Sequence, residues 1–244
     1  MPVTASDIIA YASANMPEDD TTTSGGAIDA KTRVVFTDIA ATDDVEAVST
    51  SASDTQNITV KGRLASGAIA SQTIAMTGIT PVNLSTNAFE RILSVALASD
   101  AIGVVTVRRD TDDTTIGTIP VGERGFRRLF INAASDPSVG KDRFEKIFIK
   151  NTHATLALLS ASINQSADPE ADVMHALAAS KDDTGSVANR LTDPGLTFND
   201  TDKNVPGTDL AAGEAIGVWL KQTLAAAAAP YKSSYTVQAA GSTV

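Results

Sequence analysis

Between residues 33 and 132 the sequence breaks into short β-branched runs with turn residues between them. No other feature restricts the fold as strongly. The runs are 33–39, 45–50, 58–64, 69–76, 89–97, 104–109, 115–120 and 127–132. Between them lie Asp43-Asp44, Ser66-Gly67, Gly78 with Pro81, residues 110–113 and residues 122–125. Strands this closely spaced, joined by turn chemistry, predict an all-β fold of one or two β-sandwich domains, jelly-roll or Ig-like. Apolar residues make up 43% of the chain but aromatics only 5%. The core is therefore expected to consist of Val, Ile, Leu and Ala.

Residues 133–142 carry Asp136-Pro137 and Gly140 and predict a link between domains. This divides the chain into an N-terminal arm over 1–32, a first sandwich over 33–137 and a second over 138–244. In the arm, Ser6 predicts the cap of a short helix carrying Ile8, Ile9 and Tyr11. Residues 16–26, which include Met16-Pro17-Glu18-Asp19-Asp20, read as loop. Such an arm docks on a neighbouring subunit, folds against its own domain or forms a partly disordered tail.

In the second half, 143–151 and 156–163 predict a hairpin across 151–155. Residues 173–179 fit a strand or a helical turn, and 181–204 reads as a long surface loop. A four-residue echo links Phe89-Glu90-Arg91-Ile92 to Phe144-Glu145-Lys146-Ile147, which suggests two related sandwiches. Residues 213–225 hold the only tryptophan, Trp219. Ile216, Val218 and Leu220 alternate with Gly217, Trp219 and Lys221, as in a strand. With the β-like run 233–237, this stretch closes the second domain, and Trp219 is its core or subunit-interface anchor.

Chemistry is harder to find. The net charge of −10 and pI near 4.6 disfavour nucleic acid and anionic membranes as partners. Arg108, Arg109, Arg124, Arg127 and Arg128 form the one basic concentration, read as solvent-facing charges, an inward patch or a subunit contact. The chain has no cysteine, hence no disulfide, thiolate zinc site or cysteine nucleophile. The opening Met-Pro-Val-Thr-Ala-Ser-Asp lacks the basic and apolar regions of a secretory signal. No run approaches the roughly 18 apolar residues of a membrane helix.

His153 and His175 lie in no metal-binding or general-base motif. The acid pairs Asp19-Asp20, Asp43-Asp44, Asp112-Asp113 and Asp182-Asp183 read as turn formers. Asp200-Thr201-Asp202-Lys203-Asn204 resembles half a calcium loop. Val205 and Ala211 stand where that loop needs glycine and glutamate, so it reads as a turn. The expectation is a non-enzyme, with no catalytic residue, cofactor or metal.

The segment Leu210-Ala211-Ala212-Gly213-Glu214-Ala215-Ile216-Gly217-Val218-Trp219-Leu220-Lys221, then Ser234-Tyr235-Thr236-Val237-Gln238 and Gly241, resembles the ending of virion structural proteins of tailed bacteriophages. The opening Met1-Pro2-Val3-Thr4-Ala5-Ser6-Asp7-Ile8 and the run Phe144-Glu145-Lys146-Ile147-Phe148-Ile149-Lys150-Asn151 share that style. The resemblance carries over no catalytic residue. It implies a β-rich virion component, assembled in the host bacterial cytoplasm. The leading expectation is a capsid decoration (cement) protein, a homo-oligomer with the trimer favoured, bound to the major capsid protein or other virion proteins. The alternatives are a tail, neck or fibre-base protein and, in another class, a receptor- or carbohydrate-binding module using Trp219 or Tyr231.

Overall fold

The structure, a computed structural model, describes residues 2–229 and 234–243. One turn of 3-10 helix at Ala5–Asp7 leads into β1 (Ile8–Asn15) and β2 (Ser24–Arg33). There follow β3 (Asp43–Ser49), β4 (Asn57–Leu64), β5 (Ile69–Ala75), β6 (Val82–Leu97), β7 (Val105–Arg109), β8 (Thr115–Ile119) and β9 (Gly125–Arg127). The chain continues through β10 (Lys141–Asn151), β11 (Leu159–Ala167), β12 (Val173–Lys181), β13 (Ser186–Val187), β14 (Lys203–Asn204), β15 (Ala215–Leu224) and β16 (Thr236–Ser242). No α-helix occurs among the described residues, and the fold is all-β.

The chain forms two units. A split unit comprises Met1–Asp29 with Leu129–Val244, and an inserted unit comprises Ala30–Arg128. The boundaries thus fall after residues 29 and 128, where the sequence suggested 32 and 137. The first 29 residues are built into the split unit because β1 finds its partner far along the chain. It pairs antiparallel with β10, from Ile8↔Asn151 to Ala12↔Ile147.

That pairing also overrides the helix expected after Ser6. Ile8, Ile9 and Tyr11 lie in β1, and only the single turn Ala5–Asp7 is helical. Local spacing is a weak signal here, and the ladder to a buried strand decides.

In the split unit the strand order is β12-β15-β10-β1-β2, with a second sheet ordered β14-β11-β16. β10 and β11 are not the hairpin expected from 143–163. The edges of β10 are occupied by β1 and β15, while β11 pairs with β14 and β16. The ambiguous stretch 173–179 falls within β12 and pairs with β15. Residues 182–202 are irregular apart from β13, which pairs with β2. β10 and β15 are buried on both faces through most of their length, which explains why the alternation in 213–225 coexists with near-continuous apolarity. The β-like run at 233–237 becomes β16, which starts at Thr236; Ser233 lies outside the described residues.

The inserted unit follows the sequence more closely. β3, β4, β5, β7 and β8 lie within two residues of the expected runs, and β6 begins seven residues earlier than expected. β3 lies between β6 and β7, β4 between β5 and β6, and the end of β2 runs parallel to β9. Val45, Ile58, Leu84, Phe89, Ile92, Val107, Ile116 and Phe126 are among its buried core. The run 33–39 is not a strand. β2 ends at Arg33, and beyond it Phe36 packs on Phe126 (4.8 Å between centroids) while Ile39 is buried. The run 127–132 likewise contributes only its first residue to β9.

The four-residue echo ends in different environments. Phe89, Ile92, Phe144 and Ile147 are all buried. Glu90 and Arg91 are partly exposed, whereas Glu145 and Lys146 are fully enclosed.

Candidate functional site

β10 carries Arg143, Glu145 and Lys146, all buried, through the middle of the split unit, and two sets of contacts neutralise them. On one face stands Lys146, with no exposed surface. Its Nζ donates to the carbonyls of Gly26 (3.0 Å), Asp183 (3.1 Å) and Gly185 (3.0 Å), and to the Asp183 carboxylate. The ammonium also lies 4.8 Å from the Phe148 ring centroid and 5.6 Å from that of Trp219. Burial pushes its pKa down, and Asp183 opposes this. A cage of acceptors beside two aromatic faces suits a charged ammonium held in place.

Trp219 lies directly opposite Lys146 across the β10–β15 ladder and opposite Ala176 across the β12–β15 ladder. Its side chain is 4% exposed. Gly25 completes the slot. Its φ of +92° favours glycine, and a Cβ there would stand 2.7 Å from the indole ring. Trp219 is thus a core anchor, wedged between a buried ammonium and a bare stretch of backbone.

On the other face Arg143 and Arg190, both buried, converge on Asp20. Arg143 grips it with two bonds of 2.9 Å, and Arg190 Nε donates to Oδ1 at 2.7 Å. The guanidinium groups also donate to the carbonyls of Ala134 and Ile131, each at 2.7 Å. Glu145 accepts from the Phe130 N–H at 2.9 Å and lies 3.6 Å from Arg190. Burial raises the Asp20 pKa, but the hydrogen bonds and charges of the two arginines outweigh it and hold the group at about 2. This fork-like geometry ties the loop after β1 and the segment around Arg190 to the central strand.

The remaining candidates from the sequence are structural in their contacts. His153 Nδ1 accepts from the N–H groups of Thr155 (3.1 Å) and Leu156 (3.0 Å) and so forms a turn. Asp19, Asp112 and Asp182 accept backbone N–H bonds from Thr21, Thr114 and Ala215. In the calcium-like loop the Lys203 ammonium reaches the carbonyls of Asn199 (3.2 Å) and Thr201 (3.1 Å), supplying the positive charge itself. No cluster of three metal-ligating side chains occurs among the described residues.

The arginine concentration is spent on acids within the inserted unit. Arg108 pairs with Glu46, Arg109 with Asp43 and Asp112, Arg124 with Asp100, and Arg128 with Asp38. Arg127 lies in β9 opposite Ser94. Tyr231 lies outside the described residues.

His175, fully buried in β12, has a Tyr235 hydroxyl 3.4 Å from Nδ1. Burial, and then the charge of Lys203, lower its pKa. A depressed histidine binds its proton more tightly in the unfolded chain. The stability it contributes is full above about pH 6.5 and falls as the pH drops below that value. Urea unfolding between about pH 7 and 5 is expected to show this acid-side loss, and His175→Leu is expected to flatten the slope. An unchanged slope in the variant would refute a neutral buried imidazole.

The sequence did contain a signal for this cluster. Arg143, Glu145 and Lys146 interrupt an apolar strand with Phe144, Ile147, Phe148 and Ile149, so at least one charge has to enter a covered layer. Their partners Asp20, Asp183 and Arg190 lie in loops whose positions only the fold reveals. Comparison of the chain with models of known families, with curated proteins and with solved structures finds no match.

Proposed function

We propose that the protein is a non-enzymatic structural component of a bacteriophage particle, a capsid decoration protein that binds and stabilises the assembled head. The reading joins the sequence resemblance to one observation in the inserted unit. Asp54, fully buried, gathers several loops. Its carboxylate accepts from the N–H groups of Ile102 (2.9 Å) and Gly103 (2.8 Å) and from Ser49 Oγ (2.5 Å), and its carbonyl accepts from Gly78 (3.0 Å). Gly122 N–H joins the same loops through Ala101 (2.8 Å).

From this rigid base Ile79, Ile102 and Val121 project 63%, 57% and 62% exposed. Exposed apolar loop residues on a braced scaffold suit a contact surface. The burial of Trp219 favours this reading over a sugar-binding module, which needs an accessible ring.

Binding only the assembled lattice stabilises it by mass action. Purified protein added to undecorated heads is expected to raise their melting temperature. The triple variant Ile79→Asp, Ile102→Asp, Val121→Asp is expected to keep its fold and lose that effect. Heads that neither bind nor gain stability with the wild-type protein would refute the proposal. Copy number per particle, from quantitative mass spectrometry, separates a head protein from a tail or neck component.

A further inference from the structure

From residue 64 to residue 89 the sequence contains no Asp, Glu, Lys or Arg. In a chain of net charge −10, this is where two copies can meet with least like-charge repulsion. The run contains all of β5. One side of β5 pairs with β4 in an unbroken register from Asn57↔Ala75 to Arg63↔Ile69. No strand pairs with its other side among the described residues.

The phase of that free side follows from the hairpin. Leu64 N–H donates to the Ala68 carbonyl at 2.9 Å. In an antiparallel ladder hydrogen-bonded pairs then alternate, so Ala70, Gln72 and Ile74 direct their backbone groups toward β4. Ile69, Ser71, Thr73 and Ala75 direct theirs outward.

We propose that the protein dimerises through β5, which pairs antiparallel with β5 of a second copy about a twofold axis at Gln72. In this register the outward residues meet only each other, Ile69 opposite Ala75 and Ser71 opposite Thr73. The ladder therefore continues across the axis. Ala70 faces Ile74, and Gln72 faces its own counterpart.

Large side chains oppose small ones and hydroxyls oppose hydroxyls, while the Gln72 amide oxygen at the axis accepts from the Thr86 N–H of its own chain (3.2 Å). One segment thus satisfies both sides, as a twofold interface requires. β5 also lacks the charges, prolines and bulges that normally blunt an edge. β16, another uncharged edge strand, is less suited because its register with β11 shifts twice. The dimer stands independently of the particle reading.

The full-length chain is tested by native mass spectrometry and light scattering across a concentration series, and a dimer is expected. Gln72→Cys places one thiol in a cysteine-free chain. Across a non-hydrogen-bonded antiparallel pair the Cα atoms lie about 4.5 Å apart, within disulfide reach. A covalent dimer, reversed by reductant, is expected. Thr73→Pro removes an outward N–H and leaves the backbone ladder to β4 intact, losing the Thr59–Thr73 hydroxyl contact (2.8 Å) on that side, so it is expected to weaken the dimer about tenfold or more with the melting transition retained. Should that variant misfold, the double variant Ser71→Lys, Thr73→Lys sets lysine opposite lysine with the same expected result. A monomer at every concentration, a trimer, no Gln72→Cys cross-link, or a dimer indifferent to charges at residues 71 and 73 would overturn the proposal.

Discussion

Trp219→Ala is expected to destabilise the split unit by about 3–5 kcal/mol, the range for truncating a buried aromatic side chain. The cost depends on how far the cavity can collapse, and here the walls are fixed. One wall is the backbone at Gly25, which has no side chain to move inward. Another is Lys146, held by three carbonyls and a carboxylate. Losing the ring also removes a cation–π partner from that buried ammonium. The measurement is urea unfolding followed by far-UV circular dichroism, because the variant lacks the only tryptophan. Trp219→Phe retains an apolar ring and is expected to lose less. A loss below about 1 kcal/mol for the alanine variant would place the ring outside the core.

Asp20→Ala is the second large effect expected. It leaves Arg143 and Arg190 buried without their shared counter-charge, and breaking such an arrangement costs about 3–5 kcal/mol. Its pH dependence has a definite sign. The Asp20 pKa is about 2 in the folded chain, against an ordinary value near 3.9. Its ionised form therefore adds stability fully above pH 4 to 5 (roughly), and that contribution fades as the pH falls through about 2. Linkage accounts for about 1–2 kcal/mol of the total after discounting for partial exposure. Trp219 fluorescence follows the unfolding of the split unit in this variant. The gap between wild type and Asp20→Ala is expected to be widest near neutral pH and to narrow in acid. A gap that widens in acid would overturn the assigned role of the two arginines.

These effects arise where the sequence was hardest to read. β3, β4, β5, β7 and β8 of the inserted unit were legible because each is short and bounded by turn residues, so the local signal and the final ladder agree. The residues after Arg33 misled for a physical reason. Phe36 and Ile39 are apolar because irregular backbone delivers them into a core, and strand-like composition does not require a strand. Ile8, Ile9 and Tyr11 fit either a helix or a strand by local spacing. β10 settled the matter by offering an edge.

The charged cluster shows the same division at the level of single residues. Charges within the apolar stretch around Phe144–Ile149 were visible, but nothing in the sequence pairs Lys146 with Asp183 or brings Asp20 between Arg143 and Arg190. Those partners are separated by long stretches of chain and meet only when the loops are in place.

By itself, the sequence determined an all-β chain without cysteine chemistry, built around alternating apolar runs, with Trp219 in a strand. Periodicity and composition act locally, and these properties are local. The tertiary structure decided that the N-terminal residues belong with the C-terminal half, that Trp219 rests on Gly25 and Lys146, and which charges neutralise one another. Those outcomes depend on long-range strand pairing and on the need to compensate every buried charge, which no short window of sequence encodes.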